Sequence, residues 1–254
     1  MTLVATSDFI DLQRELLLQQ SIDRLSEEIA VRGFNIAVDD DFHGLRRYLR
    51  AVGAYDNPSF DPDEHDLSSN AFWLRVEDSR GKIVASHAER IYQCQDFVSD
   101  VIESDRVWFD RGVSTPRREW RTEVTRPPVK ISGKVGFAGG MFIQPDHRGA
   151  GLSVFLPYFS RSLCMRNYAT DWHTGLVRQN IAASPVPTGY YGFPRTTHLF
   201  DGTIPRTSGE FKDLHLCWMT REEGFARLHE LPSHPRYPVA LPILSITVAL
   251  SEDF

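Results

Sequence analysis

The sequence predicts a mixed α/β (α+β) fold on three observations. Residues 8–52 carry helical periodicity, residues 71–92 alternate as a hairpin, and residues 135–167 run from an apolar strand through a glycine turn into a long helix. At 254 residues, with 41% hydrophobic and 24% charged side chains, the chain has an ordinary globular composition and the length to bury a sizeable core.

Taken in order, Phe9, Leu12, Leu16 and Leu17 stand at helical spacing, and Ile22, Leu25 and Ile29 continue the stripe until Gly33 stops it, as one or two amphipathic helices. A second helix is expected from about Asp41 to Val52, with Phe42, Leu45, Tyr48, Leu49 and Val52 on one face and Arg46, Arg47 and Arg50 on a solvated one. Residues 53–70 are rich in Asp, Pro, Ser and Asn and read as an exposed loop, without the offsets of a calcium loop. Two β-prone runs then flank Asp78-Ser79-Arg80-Gly81, which predicts an antiparallel hairpin over 71–92.

Residues 93 to about 132 are polar and irregular. Arg106, Arg111, Arg117, Arg118, Arg121, Arg126 and Lys130 are opposed there by few acids, among them Asp110, Glu119 and Glu123. Such a segment suits an acidic substrate or a carrier protein, or else a solvated and internally paired loop. Trp108, Phe109 and Trp120 interleave with the arginines, either to wall an acceptor pocket or to anchor the loop to the core. Downstream, strands are expected near 172–177 and 214–219, a short helix over 221–231, and a final apolar strand over 239–250 despite Pro242.

The chemistry concentrates where the strand Val135–Ile143 passes Gln144-Pro145-Asp146 into His147-Arg148-Gly149-Ala150-Gly151-Leu152-Ser153 and then a helix, which Pro157 distorts. Such a turn aims unpaired backbone amides from the positive end of a helix dipole, and glycines at 149 and 151 let a phosphate approach closely. The bland alternative is a tight turn with no ligand. No Lys-Ser or Lys-Thr follows at the offset a Walker motif requires, and the pattern is not a dinucleotide fingerprint.

Arg148 to Ser153 resembles the Arg/Gln-x-x-Gly-x-Gly/Ala signature of the GCN5-related N-acetyltransferases, with Ser153 standing for the last small residue. Asn180, Ala183 and Gly192-Phe193 are similar to the Asn-x-x-Ala and Gly-Phe that close that family's acyl-CoA half. The resemblance covers roughly 68–225, with the motifs in 135–193. It implies a mixed, mostly antiparallel sheet with helices on both faces, splayed between the strand ending near Ile143 and the strand near Trp172, with acyl-CoA in the splay. It organises the chain as one domain over 1–254: N-terminal helices and loop (1–67), hairpin (68–92), basic insertion (93–134), acyl-CoA core (135–193), and C-terminal strands and helix (194–254).

The resemblance also implies that Arg148, Gly149, Ala150, Gly151 and Ser153 meet the CoA pyrophosphate, that Met141 and Ile143 bond the pantetheine arm, and that Asn180 holds its other side. Acyl transfer to an amine needs a base, an oxyanion donor and an acid for the thiolate. The family's tyrosine acid is expected near Pro187 or Thr188, where none stands, which leaves Tyr190 and Tyr191 as candidates. The strand 137–143 lacks a carboxylate, so His173, Asp171 and Glu89 become candidate bases by elimination.

The implied function is an acetyl-CoA-dependent N-acyltransferase acting on a small amine. The alternatives are a synthase that takes a longer acyl-CoA or acyl-carrier protein, in the manner of N-acyl amino acid and autoinducer synthases, and a non-catalytic acyl-CoA-binding module. The net charge of -6, from 28 Lys plus Arg against 34 Asp plus Glu, speaks against nucleic acid as a partner. Three distant cysteines without CxxC spacing suggest neither disulfides nor zinc, and Cys164, on an apolar helix, is a poor nucleophile. No metal site is expected, with His198, His215, His229 and His234 scattered. The N-terminus lacks a basic and apolar leader and no apolar run spans a bilayer, so a cytoplasmic protein is expected, with room for a homodimer.

Overall fold

The computed structural model of the chain describes residues 5–55, 57–109, 121–203 and 210–231. The expected strand over 239–250, His234, Asp110, Arg111, Arg117, Arg118, Glu119 and Trp120 lie outside them, as does the side chain of Phe9. No helix among the described residues is long and apolar enough to cross a membrane.

Helix α1 (Ala5–Val31) is one unbroken helix. It buries Leu18, Ile22, Leu25 and Ile29, while Leu12 and Leu16 from the predicted stripe stay exposed, so the buried face begins at Leu18. Gly33 ends it at positive φ, and strand β1 (Phe34–Asp39), which the sequence did not announce, follows at once. Helix α2 (Phe42–Ala51) starts at Asp41, whose carboxylate accepts the Gly44 amide, and it buries Phe42, Leu45 and Leu49.

The hairpin forms as predicted from β2 (Ala71–Asp78) and β3 (Ile83–Cys94). The Asp78 carboxylate caps the turn by accepting the amides of Arg80 and Lys82. Next come β4 (Gly133–Ile143), α3 (Leu152–Leu163) with a π-helical extension over Cys164–Tyr168, and β5 (Trp172–Arg178). Two single turns, α4 (Gln179–Ala182) and α5 (Val186–Gly189), replace a regular helix, as Pro185, Pro187 and Gly189 require. Strand β6 (Arg195–Thr203), also unannounced, pairs with β7 (Glu210–Thr220), and α6 (Arg221–Glu230) closes the described chain behind a capping box of Thr220 and Glu223.

The seven strands form one sheet in the order β1-β2-β3-β4-β5-β7-β6. Every neighbouring pair is antiparallel except β4 and β5. Helices α1, α3 and α6 cover one face and α2 the other, each over its own apolar core. This is the mixed sheet with helices on both faces that the family resemblance implies.

One expectation is overturned here. The acidic stretch 53–70 is folded onto the sheet: Ser59, Phe60, Asp61, Glu64 and His65 are buried, because Arg46 neutralises Asp61 and Asp63 and Phe60 stacks between Phe42 and Phe137. Of the two readings of the segment after β3, Arg121 and Arg126 follow internal pairing. Arg126 reaches Asp96, Ser99 and Glu103, and Arg121 reaches Asp105 and the Glu103 carbonyl. Val107, Trp108 and Phe109 anchor that segment in the core.

Candidate active site

The site begins where β4 ends. Gln144 is buried and donates its side-chain amide to the Ile83 carbonyl at 2.6 Å, fixing the strand's exit, and a 3₁₀ turn over Pro145–His147 leads to the glycines. Gly149 and Gly151 stand at φ 91° and 83°, the left-handed region in which a side chain is strained. A Cβ on Gly151 would also lie 2.9 Å from the Phe155 ring. The Gly151 carbonyl accepts from Val154 and Phe155, and among the described residues the amides of 149–153 have no backbone acceptor. No acidic side chain occupies the first turn of α3, and Arg148 is exposed beside it, its Nε 3.4 Å from the Ile143 carbonyl. Ala150 and Ser153 are half-buried at the same mouth. The turn is open, and its electrostatics favour an anion.

Beside this turn the sheet opens. Strands β4 and β5 pair in parallel only from Val135↔Trp172 to Ala138↔Gly175, after which β4 runs on to Ile143 and β5 to Arg178 without meeting. At the point of separation β4 bulges: Gly140 takes φ 58°, the register slips between Ser86 and Ala88, and Ser86 Oγ donates to the Gly140 carbonyl at 3.0 Å. The gap holds a cavity of about 410 Å³, lined by Met141, Gly139 and Gly140 on one side and by Gly175, Leu176 and Val177 on the other. Ile143 lies half-buried at the end of the same strand, and Asn180 is exposed on α4, one residue before Ile181, which lines the cavity.

Polar side chains from several elements line this cavity, among them His87 and Glu89 from β3, Arg161 from α3, His173 and the exposed Arg178 from β5, and Tyr191 after α5. Glu89 is 3% exposed. Its Oε1 accepts from Ser160 Oγ at 2.9 Å and lies 3.6 Å from His87 Nε2, while Oε2 receives no N–H or O–H donor. His173 is held through Nε2 against Thr170 Oγ1 at 3.2 Å, and burial, helped by Arg161 and Arg221, pushes its pKa well below the ordinary imidazole value. It is therefore neutral near pH 7.

The Tyr191 amide and the Tyr190 amide both donate to the Val186 carbonyl, and Gly192 at φ 72° turns the chain against Tyr158. This tight turn brings Tyr191 to the cavity, where burial raises its phenol pKa and keeps it protonated. Tyr190 instead packs against the α1–α3 core.

Asp171 is absent from the cavity lining. Its carboxylate accepts the Lys134 amide at 2.8 Å and its carbonyl accepts that of Arg221, which makes it a tie at the closed end of the splay. Cys164 is fully buried beside Glu89, and desolvation lifts its thiol far above the range of a nucleophile. The histidines are less scattered than their spacing suggests, since His198 meets Asp201 and Asp213, with their ligand-type atoms within 4.8 Å. That cluster joins β6 to β7 through its own hydrogen bonds, His198 to Asp201 at 3.0 Å and the Asp213 amide to Asp201 at 3.0 Å.

Sequence reasoning missed His87, Arg161 and the wall built by Tyr55, Asn57 and Ser59. The available signal was Ser86-His87-Ala88-Glu89-Arg90, a polar run on a strand in mid-hairpin. All five residues are buried, an arrangement tolerated where the polar groups face a cavity.

No protein-family model matches the chain, and no curated protein matches it in sequence. Among solved structures it is similar to spermidine N-acetyltransferase from Vibrio cholerae, at 13% identity over 77% of this chain and 98% of that one, with a TM-score of 0.46. It is also similar to Arabidopsis thaliana NAA60 in complex with acetyl-CoA (10% identity, 74% and 99% coverage, TM-score 0.46). A third is ribosomal-protein-S5-alanine acetyltransferase from Vibrio fischeri (12% identity, 75% and 94% coverage, TM-score 0.42). Its own sheet order, parallel splay, bulged β4 and glycine turn into α3 give the chain the GCN5-related N-acetyltransferase fold.

Proposed function

We propose that the protein is an acyl-CoA-dependent N-acyltransferase that takes acetyl-CoA as donor and passes the acetyl group directly to a primary amine. The observation that carries this reading is a single continuous arrangement: amides at 149–153 without a backbone acceptor, an unpaired strand edge beside them, and a buried carboxylate lining the same gap. A diphosphate suits the first, an extended amide-bearing arm the second, and an amine the third.

In this mechanism the Gly149, Ala150, Gly151, Leu152 and Ser153 amides bind the diphosphate, and Arg148 adds a charged donor. The pantetheine arm lies along β4 past Met141 and Ile143, with Asn180 on its other side. The thioester comes to rest at the Gly139–Gly140 bulge, beside Glu89. An incoming ammonium loses a proton to Glu89, with His87 as the neighbouring group to share it, and the freed amine attacks the thioester carbonyl. The C–N bond forms, the C–S bond breaks and Tyr191 protonates the departing thiolate; the extra proton on the newly bonded nitrogen restores the phenol, and the proton on Glu89 leaves to solvent. His173, being neutral, adds no competing positive charge, and Cys164 takes no part.

Isothermal titration with CoA and acetyl-CoA, followed by thiol release over a panel of amines, tests the reading. Micromolar acetyl-CoA binding with amine-dependent thiol release is expected. Absence of CoA binding overturns the donor site, and binding without release for any amine overturns the transferase in favour of a binding module.

A further inference from the structure

The cavity contains a charge that the acyl-transfer steps leave unused. Arg161 is 2% exposed and lines the gap. Its Nη2 donates to the Tyr191 carbonyl at 2.7 Å and its guanidinium sits between the Tyr158 and Phe193 rings, yet Nε and Nη1 are buried without a hydrogen-bond partner. Burial lowers its pKa, and no carboxylate lies within ion-pair distance of it among the described residues. A guanidinium fixed at one corner by a backbone carbonyl, with two donors unspent, is costly unless something anionic completes it. Its fork geometry matches a carboxylate.

Apart from the two histidines, Tyr191, the Tyr55–Asn57–Ser59 wall and Arg178, which is exposed, the lining is apolar. Phe137, Leu176, Leu214, Phe193 and Trp108 contribute large apolar surfaces, and among the described residues Glu89 is the only acidic one in the lining. One buried cation, one buried anion and an oily surround match a zwitterion that carries a hydrocarbon side chain.

Resting on the acyltransferase reading, we propose that the acceptor is an α-amino acid with an apolar side chain, its carboxylate held by Arg161 and its amine presented to Glu89. The reaction then balances as acetyl-CoA plus the ammonium carboxylate giving the N-acetylamino acid, CoA thiol and one proton. A polyamine needs several carboxylates for its several charges, and the described lining offers one.

The test compares each amino acid with its decarboxylated counterpart: L-leucine against isoamylamine and L-phenylalanine against phenethylamine, with spermidine as a third arm, at saturating acetyl-CoA. The amino acids are expected to exceed the amines by about 10- to 150-fold in kcat/KM, the range of a hydrogen bond to a charged group. In Arg161→Met that ratio should collapse toward one, with acetyl-CoA binding by calorimetry verifying the fold. Amines or spermidine turned over as well as the amino acids by the native protein would overturn the proposal. So would an unchanged ratio in a variant that still binds acetyl-CoA. If Arg161→Met does not fold, the native ratios decide alone. If no acceptor releases thiol, the transferase reading has failed, and calorimetry with N-acetyl-L-leucine against N-isoamylacetamide decides carboxylate recognition separately: equal affinities refute it.

Discussion

Replacing Ser153 by aspartate sets two consequences of one helix end against each other. Ser153 is the second residue of α3, half-buried, among amides that lack acceptors, with no acidic neighbour in the first turn. Without a ligand, a carboxylate there complements the dipole and stabilises the fold by about 0.3–1 kcal/mol. Against a bound diphosphate the same charge is repelled. At a separation of about 6 Å and an effective dielectric between about 20 and 80, one charge pair costs roughly 0.7–3 kcal/mol, or about 3- to 150-fold in Kd. Thermal unfolding of the free variant should show an unchanged or higher Tm, while calorimetry with CoA shows the weakened binding, less so at high salt. A folded Ser153→Asp protein that binds CoA as tightly as the native one would refute the anion site.

Other outcomes follow from the same geometry. Glu89→Gln keeps the bond from Ser160 but removes the base, so kcat should drop by about 10²–10⁴ with the acetyl-CoA Kd unchanged; equal turnover would exclude the carboxylate. Tyr191→Phe should lower kcat by roughly 10- to 10³-fold. Because burial raises the native phenol's pKa, the alkaline limb of the native kcat profile should lie above about pH 10, the ordinary tyrosine value, and a limb near neutrality would assign the acid elsewhere. His173 contributes to stability against pH: above pH 6.5 it is neutral in both states, whereas below that the unfolded chain takes up a proton the buried imidazole refuses. Native stability should therefore fall by up to about 1.4 kcal/mol per pH unit more steeply than that of His173→Asn between pH 6.5 and 5.5, and parallel urea midpoints would contradict this.

The glycine turn between β4 and α3 and the β2–β3 hairpin were legible because their signals are local. Gly149 and Gly151 are needed for their backbone angles, and Asp78 to Gly81 spell a turn by themselves. The strands β1 and β6 escaped because Phe34–Asp39 and Arg195–Thr203 lack a clean two-residue alternation, and their pairing with β2 and β7 is a long-range matter. The loop 53–70 was misread because composition ranks Asp and Pro as solvent-seeking, whereas Arg46 arrives from α2 to neutralise the acids. The cavity lining depends on which face of β3 meets α3, and since both faces are buried, alternation says nothing about whether His87 or Arg90 looks into the cavity.

The centre of this sheet is its weakest seam. Two blocks, β1 to β4 and β5 with β7 and β6, are stitched by four residue pairs, whereas sheets ordinarily keep their firmest pairing in the middle and fray at the margins. An extended ligand arm laid along the bare edge of β4 would act as the absent thread. At a concentration a hundred times its Kd it would add about 2.7 kcal/mol to the native state, and amide exchange at Ala138 and Gly175 should slow in step. On that reading the ligand itself would knit the two blocks together.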